Sequence, residues 1–221
     1  MATDSSLGDS SLGDSPLGQV ISLSSKRLVQ DVPRPDGEGA VLRDVLSGKP
    51  FDGAVTGFVL SCLPESRAPV LWVSDRMARR ENGRLYGPSL RQFGFKGHVL
   101  RVEVSNPRDV LWAMEEGARC GALAAVIAEV QGGGLRALDL TATRRLALRA
   151  ATGGVPLFLL RHGTCAEPTA AMTRWCVAPR PSSVPGVLKQ GPHHALGAAG
   201  WQVELSRNRD GHPGHADLEW N

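Results

Sequence analysis

The stretch Gly121-Ala-Leu-Ala-Ala-Val-Ile-Ala-Glu-Val130 is a continuous run of small and β-branched apolar residues that carries a single carboxylate, Glu129, near its end. A run of this length and composition fits a strand buried on both faces. Helical patterns on either side make it a parallel strand inside an α/β domain. In open α/β sheets ligands sit beyond the carboxyl ends of the strands, so Glu129 marks the place to look for a site.

The helix that precedes this strand has a readable start. Asn106 can cap it, Pro107 suits its first position and Asp109 puts negative charge in the first turn, while Val110, Leu111, Met114 and Ala118 recur at helical spacing. After the strand, a glycine-rich loop from Gln131 to Leu140 leads to a helix that Thr141 can cap and that Gly153-Gly154 ends. A buried strand from Val155 to Arg161 follows, then the loop His162 to Thr173 and a shorter strand, Trp175 to Pro179. The end reads as a hairpin, Trp201 to Arg207 and His215 to Trp220. On the amino-terminal side, Pro69 to Asp75 and His98 to Val104 read as strands, with a helical turn or two from Pro88 to Phe93. A helix is expected from Asp52 to Leu63 and a short one from Ala40 to Leu46, closed by Ser47-Gly48-Lys49-Pro50. The expected fold class is α/β, a mostly parallel sheet with helices on both faces and a C-terminal antiparallel hairpin.

Residues 1–38 are expected to form a disordered tail and linker, and residues 39–221 the folded domain. The tail carries an almost threefold five-residue repeat from Ser5 to Gly18, too poor in apolar surface to offset the entropy of ordering. Hydrophobic residues make up 42% and charged residues 21% of the 221, the balance of a soluble globular protein. No run is long enough to span a membrane and no secretory signal opens the chain, so a cytoplasmic location is expected. The four cysteines, Cys62, Cys120, Cys165 and Cys176, lack paired spacing and read as buried free thiols. A net charge of +3 permits contact with nucleic acid without arguing for it.

A phosphate-binding loop needs Gly-x4-Gly-Lys-Ser/Thr, so that backbone N–H groups wrap the phosphates and the hydroxyl holds magnesium. Gly48-Lys49-Pro50 lacks the hydroxyl, and neither GxGxxG, GxSxG nor HExxH occurs. Glu129 is then expected to face solvent or pair with an arginine. His162, His193, His194, His212 and His215 gather late and read as solvated loop histidines, with no metal and no cofactor expected. The arginines form groups: Arg144, Arg145 and Arg149 on one helix, Arg207 and Arg209 around Asn208, Arg174 and Arg180 bracketing the short strand. Such groups bind phosphate or an acidic partner surface. Trp72 and Trp175 fall in strands and belong to the core, whereas Trp112 lies off the apolar stripe of its helix and is a candidate contact residue.

Five segments taken in order carry a resemblance over some two-thirds of the chain. They are VLWVSDR with LYGPSL, then LWAMEEGARCGALAAVIAEV, LDLTATRRLALRAATGGVPLFLLR and WQVELSRNRDGHPGHADLEW. From Pro69 to Trp220 the chain resembles the RecA-like recombinase core and, within that superfamily, the ImuA family of inducible-mutagenesis proteins. The resemblance puts Glu129 where RecA-type ATPases end their Walker B strand. It puts Gln131 to Leu140 and His162 to Thr173 in the places of the two DNA-binding loops, and Arg207 and Arg209 at the basic pair of the RecA hairpin. The departure lies in Ser47 to Ser61, which holds no GKS or GKT. What the resemblance implies is a non-catalytic adaptor in damage-induced, error-prone translesion synthesis. It would bridge an ImuB-like, Y-family-related protein and RecA, and so bring in an error-prone polymerase indirectly. Arg207, Arg209, Arg144, Arg145 and Trp112 are its expected contacts with partner or DNA. A RecA-type nucleotide-dependent single-strand DNA-binding ATPase and a SulA-like cell-division inhibitor are the alternatives.

Overall fold

The computed structural model describes residues 39–50, 52–64, 66–131, 138–163, 167–181 and 197–220, with the backbone of 20–23. The strands are β1 (Val20–Leu23), β2 (Leu42–Ser47), β3 (Val70–Asp75), β4 (Val99–Val104), β5 (Ala125–Gln131), β6 (Leu157–His162), β7 (Thr173–Arg180), β8 (Gly200–Asn208) and β9 (Gly214–Trp220). The helices are α1 (Gly53–Ser61), α2 (Arg76–Asn82), α3 (Gly87–Gln92), α4 (Pro107–Ala118) and α5 (Leu140–Gly153). The strands join in one sheet, ordered β1-β9-β8-β7-β2-β6-β5-β3-β4. All pairings are parallel except β7 with β8 and β8 with β9, so the fold class is the expected one.

Apolar residues of β2, β3, β5 and β6 point alternately to two cores. One core packs α1 and α3 with Phe58, Trp72, Ile127, Phe158, Trp175 and Trp201. The other packs α4 and α5 with Val73, Met114, Val126, Leu146 and Leu159. The opening run forms β5, every residue of it buried, although the strand begins at Ala125 and not at Gly121.

Leu42–Ser47 corrects the sequence reading, for it is a central strand and not a helix. Leu42, Val45 and Leu46 sit at helical spacing, and the charged pair Arg43-Asp44 reads as a solvated face. In the fold all six residues are buried: neighbouring strands supply counter-charges to Asp44, and the Arg43 guanidinium lies 5.3 Å from the centre of the Phe158 ring. The Arg161 guanidinium of β6 donates from Nε to Asp44 Oδ1 at 2.8 Å and pairs from Nη2 with Oδ2. Arg174 Nε of β7 donates to the same Oδ2 at 3.0 Å, and Thr169 Oγ1 donates at 3.0 Å.

Two smaller differences are local. A helix, α2, follows β3 in a segment to which the sequence reading assigned no element; Asp75 caps it by accepting from Ala78 N–H, and Ala78 is its one buried residue. Asp139, not Thr141, caps α5, and Gly154 closes it with φ +73°, as expected of a glycine stop. Asn106 caps α4 as expected. Val20–Leu23, within the stretch expected to be tail, pairs its backbone in parallel with β9. Among the described residues no helix is long and apolar enough to cross a membrane. Of the cysteines read as buried thiols, Cys62 is buried but Cys120 is exposed and Cys176 half-buried; Cys165 lies outside the described residues.

Asp44 and Arg161 are both fully inaccessible, so removing the carboxylate strands a buried cation. Asp44→Ala should therefore destabilise the fold by about 3–5 kcal/mol, read as a lower urea midpoint, whereas Arg79→Ala, which removes an exposed ion pair with Glu103, should cost under about 1 kcal/mol.

Candidate functional site

Glu129 is 6% exposed and does not behave as the sequence suggested. It is almost wholly withdrawn from solvent, and among the described residues no arginine pairs with it. Its Oε2 accepts from Trp72 Nε1 at 3.3 Å, and its Oε1 from Asn82 Nδ2 at 3.0 Å, with His162 Nε2 also at 3.0 Å. These groups come from the middle of β3, the carboxyl-terminal parts of β5 and β6 and the last residue of α2, so the fold assembles them toward the edge where α/β sheets place their sites. His162 is correspondingly 1% exposed, against the reading of it as a solvated loop histidine. His212 and His215 are exposed, and His193 and His194 lie outside the described residues.

Around this carboxylate the hydrogen bonding is incomplete. Among the described residues, Asp75 Oδ2, Asn82 Oδ1, Gln131 Oε1 and His162 Nδ1 are buried side-chain atoms with no partner. Burial pushes the Asp75 carboxyl above its ordinary value of 3.8, and the nearby Glu129 charge adds to the rise. Backbone N–H groups of Ala78, Gln131 and Met77 oppose it. Glu129 and Asn82 also line a cavity of about 250 Å³, whose other walls include Thr56 and Gly57 of α1 and Tyr86, which is 70% exposed. Among the described residues no group of three or more His, Cys, Asp or Glu side chains is placed to hold a metal ion. Sequence reading found Glu129 but missed Asp75 and Asn82; the helix cap that Asp75 makes was the one local signal.

The arginines separate into two places. Arg207 is half-buried and donates from Nη1 to the Thr169 carbonyl at 2.5 Å. Burial, then the charges of Arg209 and Arg174, hold its pKa below the usual arginine range. Arg174 donates to the Glu167 carbonyl at 2.8 Å besides its bond to Asp44, so both side chains brace the segment leading into β7. Arg209 is exposed, and Arg180 lies 3.8 Å from Asp217.

The second place is the outer surface of α4 and α5. Trp112 is 66% exposed and lines a groove of about 400 Å³ with Arg108, Leu111, Asp139, Thr141, Ala142 and Arg145. Arg145 Nε donates to Glu115 Oε1 at 3.0 Å, tying the helices together. Arg108, Arg144 and Arg149 are exposed and make no ion pair among the described residues. Leu148, one helical turn after Arg144, is 63% exposed, and Leu140, one turn before it, 39%. Trp112 and Arg145 are thus brought together, and Arg207 and Arg209 stand apart from them.

The Asp75 carboxyl yields a pH signature. Its raised folded-state value makes its stabilising contribution fullest below about pH 4 and lost as pH rises through the folded-state pKa. Asp75→Asn keeps an oxygen for the Ala78 N–H but carries no charge to desolvate. It should flatten the urea-midpoint profile above pH 4 and leave the protein more stable than the wild type at pH 7.

No protein-family profile matches the chain. Among solved structures it is similar to SulA from Pseudomonas aeruginosa, at 20% identity and a TM-score of 0.40 over 55% of this chain and 98% of that one. It is also similar to a DnaB-like replicative helicase whose interactions with primase were determined, at 11% identity and a TM-score of 0.44 over 84% of this chain and 57% of that one. Among curated proteins it is 32% identical to Protein ImuA of Caulobacter vibrioides, in two strains, over 187 residues that make up 80% of this chain and 70% of the relative. With that identity over most of both lengths, the chain belongs to the ImuA family.

Proposed function

We propose that this protein is a non-catalytic adaptor in damage-induced (SOS), error-prone translesion DNA synthesis. It acts in the cytoplasm, bridging an ImuB-like protein and RecA, and thereby helps recruit an error-prone polymerase. The observation that carries the reading is Trp112, a large aromatic two-thirds exposed in a groove it shares with Arg108 and with Arg145, the latter paired to Glu115, in a chain of the ImuA family. An exposed indole beside arginines is the kind of anchor that protein interfaces concentrate their energy on.

Two features favour presentation of a surface over nucleotide chemistry. In the loop from Ser47 into α1, Lys49 is followed by Pro50 in place of the hydroxyl that would hold magnesium. Both oxygens of the Glu129 carboxylate are engaged by donors of the protein itself. Asp52, at the end of that loop, is likewise engaged: Oδ1 caps α1 through Ala54 N–H, and Oδ2 accepts from Ser47 Oγ at 3.2 Å. Of the basic pair expected on the hairpin, Arg209 is exposed, while Arg207 is held by the Thr169 carbonyl.

The test combines binding and phenotype. Trp112→Ala with Arg144→Glu should weaken capture of the ImuB-like protein or of RecA by about 2 kcal/mol, a thirtyfold loss, and lower damage-induced mutation frequency toward that of the deletion. Unchanged capture and mutation frequency would remove the α4–α5 face from the adaptor. Calorimetry with magnesium and ATP should show no micromolar binding, and micromolar affinity would replace the adaptor with a nucleotide-dependent enzyme.

A further inference from the structure

The α4–α5 face has a complement within the same chain. Residues 4–18, outside the described residues, read Asp-Ser-Ser-Leu-Gly-Asp-Ser-Ser-Leu-Gly-Asp-Ser-Pro-Leu-Gly. They carry Asp4, Asp9 and Asp14 and Leu7, Leu12 and Leu17, and no basic side chain occurs before Lys26. The repeat therefore alternates an apolar side chain with a carboxylate. The face alternates the matching groups: Leu140, Arg144 and Leu148 follow one another at helical four-residue spacing on α5, with Trp112 and Arg108 across the groove and Arg149 beside Leu148.

We infer that the Leu-Gly-Asp repeat of residues 4–18 docks in cis on the α4–α5 face, with Leu7 and Leu12 against the apolar groups Trp112, Leu140 and Leu148 and with Asp4 and Asp9 against Arg108, Arg144 and Arg149. Reach permits it. β1 runs parallel to β9, and through two antiparallel steps parallel also to β2, so Val20 lies at the Leu42 end of the sheet. Leu42 pairs with Leu157, just after α5 ends at Gly153, so the carboxyl end of α5 lies at that same edge. Four strand spacings separate β1 from β2, about 19 Å. The eight residues from Leu12 to Val20 span up to about 28 Å, and Leu7 reaches further.

Charge argues for this occupant over DNA. Asp109, Glu116 and Asp139 border the same surface and repel a continuous phosphate backbone, whereas single carboxylates five residues apart can each choose an arginine. The consequence is an internal competitor: a partner reaching the α4–α5 face first displaces the tail. The inference stands without the adaptor role, since it concerns only the face and the repeat.

Tryptophan fluorescence in the full chain tests it. Trp72, Trp175 and Trp201 are at most 3% exposed, so collisional quenching by acrylamide reports mainly Trp112, with Trp220 as a partly exposed background. A tether holding the repeat at millimolar effective concentration keeps a segment of comparable Kd bound about half the time, so releasing it should raise quenching roughly twofold. The releasing variant combines Leu7→Ser, Leu12→Ser and Leu17→Ser with Asp9→Asn and Asp14→Asn, all outside the folded domain. High salt should release the wild-type tail partially, and Trp112→Phe should abolish the difference between tails. A synthetic peptide of residues 4–18 added to the releasing variant should restore protection, and its Leu→Ser counterpart should not. Equal quenching of wild type and releasing variant overturns the inference. Protection lost on dilution also overturns it, by assigning the tail to a second copy of the chain.

Discussion

The sheet depends on one buried carboxylate. Asp44 stands in β2, the strand on which the two halves of the sheet meet, and is fully inaccessible. A lone charge there would be prohibitive, since transfer of a carboxylate out of water costs several kcal/mol even after relaxation. Arg161 from β6 and Arg174 from β7 reach it from both flanking strands, and Thr169 adds a neutral donor. The cluster thus fixes the register of three strands at once. It also fastens the segment before β7, because Arg174 and Arg207 hold the Glu167 and Thr169 carbonyls. Arg207, which the family resemblance assigns to partner contact, is in this setting part of the frame.

This cluster is also why the sequence misleads at Ala40 to Leu46. A strand with arginine and aspartate at its middle violates the rule that parallel central strands read as apolar runs, and only groups more than a hundred residues away satisfy it. Elements whose signals are local were legible: the Asn106 cap and Pro107 of α4, the glycine stop of α5, the apolar run of β5, and the hairpin around Asn208 to Gly214. The candidate site was legible by one residue. Glu129 ends an apolar run, but Trp72, Asn82 and His162 lie 57, 47 and 33 residues from it, at distances no spacing rule covers. Side-chain burial at Asp75 and His162 has no local signature either, since each sits at a strand end where solvent is the default expectation.

The two faces of the sheet have been put to different uses. On the α1 side, aromatic packing closes the structure: Phe58 lies 5.6 Å from Trp175 between ring centroids, Phe93 lies 5.9 Å from Trp220, and Trp220 donates to the Gln92 carbonyl at 2.7 Å. That last bond ties the final strand to α3 and places the aromatic wall near the cavity that Glu129 lines. The polar cluster is therefore held from above by a helix layer and from the side by the C-terminal hairpin, and its small cavity is lined on one side by Phe93 and Leu90.

On the other side a single glycine opens the surface. A Cβ at Gly153 would stand 1.7 Å from the Ala118 carbonyl oxygen, so only hydrogen lets the carboxyl ends of α4 and α5 approach this closely. The helices meet there, are bridged midway by Glu115 and Arg145, and leave a groove of about 400 Å³ at their amino ends. Trp112 lies at that open end on the helix face turned away from Met114 and Val110, so the core has no room to recruit it. Tight contact at one end and a gap at the other are what keep the indole at the surface with arginines around it. The exposure of Trp112 in the free domain thus follows from its place on the face of α4 turned away from the core.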